Sequence, residues 1–387
     1  MNKLILALVC LPTSAVIAQE AERRPAMFLP TPVPAPAAVQ RHVPPPPVAV
    51  SVDQRAMLIW EPTILRCGDR PIAAMPIRRP WNMLVWPGFK AMPVSFAFAI
   101  DATGRTTAIR RRRDETQPLS GDLGPALAAT RFAAGAPQAD CTIVYAPQVT
   151  PIGEVPIADL ISYTLTPESG PLPVAGWNRI AAGASCRDEP RPLPLVQVYP
   201  DFRKVPGTPG VKDWSMVRYD TDARGRPRNL RTVSGTGNAA LDAASLKAIR
   251  ASRYTEGARA GCLYPYWKMP ATLAPPPIPT EVAYRPKNAT CPTARDWTTG
   301  PVLRFPDNYQ RRSIEGWAIV TYDLAPWGEP GNIHAVAAEP SADFGTAAEA
   351  VIRGARLPAS DRGATGCVDR VIFKIGPGSA GAPPPPF

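Results

Sequence analysis

Trp214-Ser-Met-Val-Arg-Tyr219-Asp220-Thr-Asp222-Ala-Arg-Gly225-Arg226, followed by Pro227-Arg-Asn-Leu-Arg-Thr-Val233-Ser234-Gly-Thr-Gly237-Asn238 and Leu241-Asp-Ala-Ala-Ser-Leu246-Lys-Ala-Ile249-Arg-Ala251, changes its period twice. Apolar and polar residues alternate from Trp214 to Asp222, which predicts a half-buried strand. Gly225 closes a hairpin, and Arg228 to Val233 supplies the returning strand. The Ser-Gly-Thr-Gly-Asn run breaks that strand, and from Leu241 the apolar residues fall at helical spacing. A last strand begins at Cys262. Strand, hairpin, strand, helix, strand is an α+β pattern: a three-stranded antiparallel sheet with a helix packed on one face.

The same succession is written three times. Asp101-Ala-Thr-Gly104-Arg105 matches Asp222-Ala-Arg-Gly225-Arg226 at the offset that carries Cys141 onto Cys262. Tyr322-Asp323 and Gly328 answer Tyr219-Asp220 and Gly225. The first unit is expected to run as strand Val94 to Asp101, turn at Gly104, strand Thr106 to Arg112, helix Leu123 to Thr130 and strand Cys141 to Tyr145. The third runs Trp317 to Leu324, turn at Gly328, Asn332 to Ala337, helix Phe344 to Arg353, then Val368 to Ile375. A period near one hundred residues suits tandem small domains and is too long for a solenoid. Pro clusters at 146–156 and 270–286 read as linkers. They divide the chain into a leader at 1–18, a Pro-rich spacer at 19–50, modules at 51–150, 158–270 and 280–376, and a Gly/Ala/Pro tail at 377–387. The spacer favours extended polyproline II, which tethers and does not fold.

Cysteines frame each unit: Cys67 and Cys141, Cys186 and Cys262, Cys291 and Cys367 are separated by 74, 76 and 76 residues. Met1-Asn-Lys3 followed by an apolar stretch ending in Val16-Ile17-Ala18 reads as a cleaved export signal, the alternative being an uncleaved anchor. In an exported chain cysteines are read first as disulfides. Six allow fifteen connectivities. Copies of one fold should close in one way, so the repeat argues for one bridge inside each unit, each closing a loop of about 75 residues and contributing at most roughly 4.5 kcal/mol. A zinc site lacks ligands: no Cys-x-x-Cys occurs, and His42 and His334 are the only histidines.

Net charge is +11, from 43 Lys and Arg against 32 Asp and Glu. For an exported protein this points to anionic envelope surfaces or acidic protein segments rather than nucleic acid. Arg110-Arg111-Arg112-Arg113 is the densest basic run, readable as a headgroup contact or as a solvated strand and turn.

The pattern resembles the C-terminal domain of the TonB family, periplasmic proteins that couple an inner-membrane proton channel to outer-membrane receptors. The second unit carries the resemblance best, in Tyr199-Pro200, Tyr219-Asp220 through Gly225-Arg226, Val233-Ser234-Gly235 and Leu241-Asp242-Ala-Ala244. The third keeps Phe305-Pro306, Gly316, Tyr322-Asp323, Gly328 and Ala347-Ala348. The first keeps Trp86-Pro87, Ile100-Asp101, Gly104 and Arg131-Phe132. The leader and spacer are similar to the family's anchor and linker, though the leader carries no His and the family has one such domain where this chain has three. The resemblance implies a periplasmic protein that binds outer-membrane receptors or other envelope partners by strand addition to the last strand. Here that edge is Val368, Asp369, Arg370, Val371, Ile372, Phe373, Lys374 and Ile375, with counterparts at Leu263 to Trp267 and Thr142 to Tyr145. The alternative is a scaffold whose last strands are internal, closed by neighbouring units.

Nothing in the sequence assembles an enzyme or a cofactor site. The histidines cannot build a triad, and Asp220, Asp222 and Asp323, the sole acid–base candidates for a hydrolase, sit where turn chemistry wants Asp. Gly235-Thr-Gly237-Asn-Ala-Ala240 matches a relaxed dinucleotide fingerprint but lacks the surrounding parallel βαβ unit.

Overall fold

A computed structural model describes residues 55–72, 77–112 and 118–376; the leader, the spacer, Arg113 and the tail lie outside the described residues. In chain order the first unit comprises strands β1 (Ala56–Cys67), β2 (Arg70–Pro71), β3 (Met83–Val85), β4 (Val94–Ile100) and β5 (Thr106–Arg111), helix α1 (Leu123–Ala129) and strand β6 (Gln138–Pro151). Helices α2 (Ile157–Leu165) and α3 (Val174–Ile180) follow. The second unit holds β7 (Pro194–Val196), β8 (Asp213–Thr221), β9 (Pro227–Gly235), α4 (Ala239–Ala251), β10 (Arg253–Tyr254) and β11 (Arg259–Lys268). After a 3-10 turn at Glu281–Tyr284, the third holds α5 (Asp307–Arg311), β12 (Gly316–Leu324), β13 (Pro330–Glu339), α6 (Ala342–Arg353) and β14 (Ala364–Phe373). The fold is α+β, with antiparallel sheets and three disulfides: Cys67–Cys141, Cys186–Cys262 and Cys291–Cys367.

Every unit has the hairpin's first strand in the middle, flanked by the returning strand and the last strand: β5-β4-β6, β9-β8-β11 and β13-β12-β14. Helix starts are set by side-chain caps where they exist, Asn238 accepting from the Leu241 N–H and Ser341 from the Asp343 N–H. The turn glycines lock hairpin to helix end. Gly104, Gly225 and Gly328 have φ of 81°, 67° and 85°, and their carbonyls accept from the N–H of Phe132, Tyr254 and Leu357. A Cβ on these glycines would lie 2.1, 2.1 and 1.9 Å from the carbonyl oxygens of the same three residues, so no other side chain fits. Just before each of those residues an arginine, Arg131, Arg253 or Arg356, donates to the carbonyls three and one positions back. A positive-φ bulge recurs at Ala108, Asn229 and Asn332.

Two expectations are corrected. The first unit is not three-stranded: its sheet has six strands, because β1 pairs with β6 from Ala56↔Pro151 to Cys67↔Cys141 and carries β2 and β3. Residues 146–151, part of the 146–156 stretch read as linker for its prolines, continue β6. The reason is burial. Met57, Leu58, Ile59 and Trp60 are enclosed on both faces of β1, and covering them takes a packed layer on each face, with Leu123 and Leu127 of α1 on one and Leu160 and Ile161 of α2 on the other.

The described residues all fall in one compact unit. One core cluster runs from Leu58, Phe96 and Leu127 to Ile314, Val320 and Phe344, joining the first and third units. A second joins Met57 and Ile59 through Leu160 and Ile161 to Trp214 and Met216 of the second. Where the three meet lies Arg312, 2% exposed. Its guanidinium makes a two-pronged ion pair with Asp122 at 2.5 Å, donates to the carbonyls of Arg79 and Gly210, and lies 4.7 Å from the Trp81 ring centre.

Candidate functional site

The last strands β6, β11 and β14 each give one edge to the middle strand of their own sheet. The opposite edge is treated in three ways. Counting from the second cysteine of each unit, the first, third and fifth positions are Thr142, Val144 and Ala146; Leu263, Pro265 and Trp267; and Val368, Arg370 and Ile372.

In the first unit the chain fills the edge itself. β1 runs antiparallel along β6, pairing Arg66↔Thr142, Leu65↔Ile143 and Ile64↔Val144, and the Thr63 hydroxyl donates to the Val144 carbonyl. This third position therefore faces outward, and with it the first and fifth, since successive residues of an antiparallel strand turn their peptide groups to alternate edges.

In the second unit the lead-in segment reaches only the start of β11, where Ser185 exchanges two hydrogen bonds with Ala260. The third position is Pro265, which has no N–H to donate. Trp267 at the fifth packs into the second core cluster.

In the third unit Thr290 and Cys291 donate to the Thr365 carbonyl, and the Arg295 guanidinium donates to the Val368 carbonyl at 3.0 Å. Arg295 also forms an ion pair with Asp369, which accepts from the Tyr322 hydroxyl at 2.6 Å. Beyond that plug Arg370 and Ile372 face outward by the same alternation, and no main-chain partner from outside the β12 ladder reaches them among the described residues. Arg370 is exposed and its guanidinium lies 3.9 Å from the Glu281 carboxylate.

The predicted edge residues thus divide. Val368, Val371 and Phe373 are buried core, Asp369 is held by Arg295 and Tyr322, and Arg370 and Ile372 present main chain outward. Lys374 and Ile375 lie past the end of β14, where the Ile375 N–H donates to Glu315. Burial pushes the Asp369 carboxyl above the ordinary Asp range despite its partners.

The acid–base candidates are committed to structure. The Asp220 carboxylate accepts from the Asn229 side chain and the Gly261 N–H, and Asp323 repeats this with Asn332 and the Gly366 N–H. Those hydrogen bonds hold both carboxyls below the ordinary range. Asp222 accepts from the N–H groups of Arg224 and Arg226 and pairs with Arg228. His334 lies in β13 and gives its carbonyl to the Thr321 hydroxyl.

Sequence reasoning missed β1, Arg295 and Arg312. β1 had a signal, the apolar run Met57-Leu-Ile-Trp60; the two arginines had none, because their partners Asp369 and Asp122 are distant in sequence. Neither a scan against known family models nor a search of curated proteins returned a match. Among the described residues no helix is long and apolar enough to cross a membrane, and the three disulfides suit an oxidising compartment.

Proposed function

We propose that this chain is a periplasmic, TonB-like binding protein that takes an extended segment of an outer-membrane receptor or another envelope protein onto the edge of β14. One observation carries the reading: of three equivalent edges, the first is occupied by the chain's own β1, the second bears Pro265, and the third leaves Arg370 and Ile372 facing outward. β1 on β6 also supplies the template for the occupant, an antiparallel strand whose main-chain bonds each contribute about 0.5–1.5 kcal/mol net. Crosslinking pull-down of the mature chain from envelope extract, with Arg370→Pro beside the native protein, tests it. The variant copies the second unit's edge onto the third, so receptors captured by the native protein should be lost. Capture undiminished by Arg370→Pro would sink strand addition at this edge.

The second reading, a scaffold that binds nothing through its edges, draws on the closure between units. Ile109 bridges Ser341 and donates to the Pro340 carbonyl, while the Ala108 N–H donates to Glu339. That reading expects the same envelope partners with and without Arg370→Pro.

A further inference from the structure

Away from the β14 edge, the three units enclose a cleft of about 270 Å³. Its walls are the segment Arg78–Asn82, the α2 residues Asp159 and Ser162, the loop Ser234–Thr236, Lys212 and the edge of Arg312. Four cationic residues line it, but two are spent: Arg79 pairs with Glu61 and Asp159, and Arg312 with Asp122.

The other two are not. Lys212 is half-buried; its ammonium donates to the Leu165 carbonyl at 2.5 Å and lies 5.7 Å from the Trp267 ring centre. No carboxylate comes within ion-pairing distance of it among the described residues, and Glu168, whose charge reaches it, is paired with Arg311. Burial holds the Lys212 pKa below the ordinary lysine value. Arg78 gives its backbone N–H to the Thr130 hydroxyl, while its guanidinium has no ion pair among the described residues. A desolvated ammonium without a counter-charge is costly, and an anion in the cleft would remove that cost. The hydroxyls of Ser162 and Ser234 add neutral donors to the walls, and Trp214 an apolar surface.

We propose that this cleft binds a small monocarboxylate, its carboxylate between Lys212 and Arg78 and its apolar part against Trp214. Size and the apolar wall select the class. At about 30 Å³ per water the cleft has room for roughly ten non-hydrogen atoms. Trp214 on the same wall offers an apolar face that inorganic phosphate cannot use, and so favours a carboxylate carried on an apolar body. Since the walls come from all three units, occupancy holds them together and raises thermal stability by mass action.

The test is calorimetric titration and thermal unfolding of the full chain with acetate, benzoate and inorganic phosphate at constant ionic strength. Benzoate should bind saturably and raise Tm, and each of Lys212→Met and Arg78→Gln should weaken it about tenfold, equivalent to ~1.4 kcal/mol. Arg78→Gln guards against a folding artefact, because it leaves the backbone bond to Thr130 in place. Absence of saturable benzoate binding, affinity in both variants equal to that of the native chain, or tighter binding of phosphate than of benzoate would each overturn the proposal. None of these outcomes touches the β14 reading, which Arg370→Pro tests separately.

Discussion

The second and third units share one topology but seal helix to sheet with different chemistry. Between β8, β9 and α4 lie Ser215, Thr232, Asp242 and Ser245; at the same places between β12, β13 and α6 stand Ala318, Ala335, Gly345 and Ala348. Among the described residues the hydroxyls of Ser215, Thr232 and Ser245 and one carboxylate oxygen of Asp242 are buried without a hydrogen-bond partner. In the third unit the seam is closed so tightly that a Cβ on Gly345 would come within 2.9 Å of the Ala335 Cβ. The pattern of strands and helix is therefore held by turn glycines, helix-end arginines and disulfides, while the seam is free to vary in polarity. Stability should vary with it, and the unit with the apolar seam is the one whose edge stands open.

Removing Arg312 would break that comparison most forcefully. Arg312→Met strands the nearly buried Asp122 without its partner and should cost ~3–5 kcal/mol. Hydrogen exchange should then show α5 and β12 losing more protection than β8; equal loss in β8 would mean that the units unfold as one and that seam polarity does not set their rank.

A smaller effect sharpens it. Ser215→Ala and Ser245→Ala make the second unit's seam resemble the third's, and each should raise stability by about 1 kcal/mol in urea unfolding, since an unsatisfied buried hydroxyl is removed without leaving a large cavity. Loss of stability in both would show that these hydroxyls are satisfied in solution and that the seams do not differ in cost.

The smallest effect is acid dependence. Asp220 and Asp323 have folded-state pKa values below the reference 3.8, so each contributes stability that is present above 3.8 and lost as pH falls through the lowered folded value. Asp220→Asn and Asp323→Asn should flatten stability below about pH 4 by similar small amounts, as read from urea midpoints across pH. A much larger effect at one position would separate units that this motif makes equal.

What the sequence disclosed was what repeats locally. The alternation of β8, the Gly225 turn and the helical spacing of α4 were each readable within a dozen residues, because strand, turn and helix each impose their own period. β1 was not, since its partner β6 lies across the whole first unit and its apolar run adjoins a Pro-rich segment. Prolines misled twice: Pro147 and Pro151 sit inside a strand, and Pro265, which in a strand signals an edge, went unread as such. The open part of the candidate edge could not be told from its plugged part, because Arg295 reaches Val368 from 73 residues away.

The joining of β1 to β6 sets a limit under tension. The ladder starts with Ala56 beside Pro151 and ends at Cys67 beside Cys141, where the disulfide lies. A pull transmitted through the residues before Arg55 would peel pairs from the Ala56 end and stop at that covalent bond. The twelve residues of β1, roughly 40 Å long when extended, would come away only as Met57, Leu58, Ile59 and Trp60 leave the two core clusters, so the core carries load from the first pairs. Such a strand is a bounded tether, its travel under force limited by a covalent bond and resisted by the core in which it is packed.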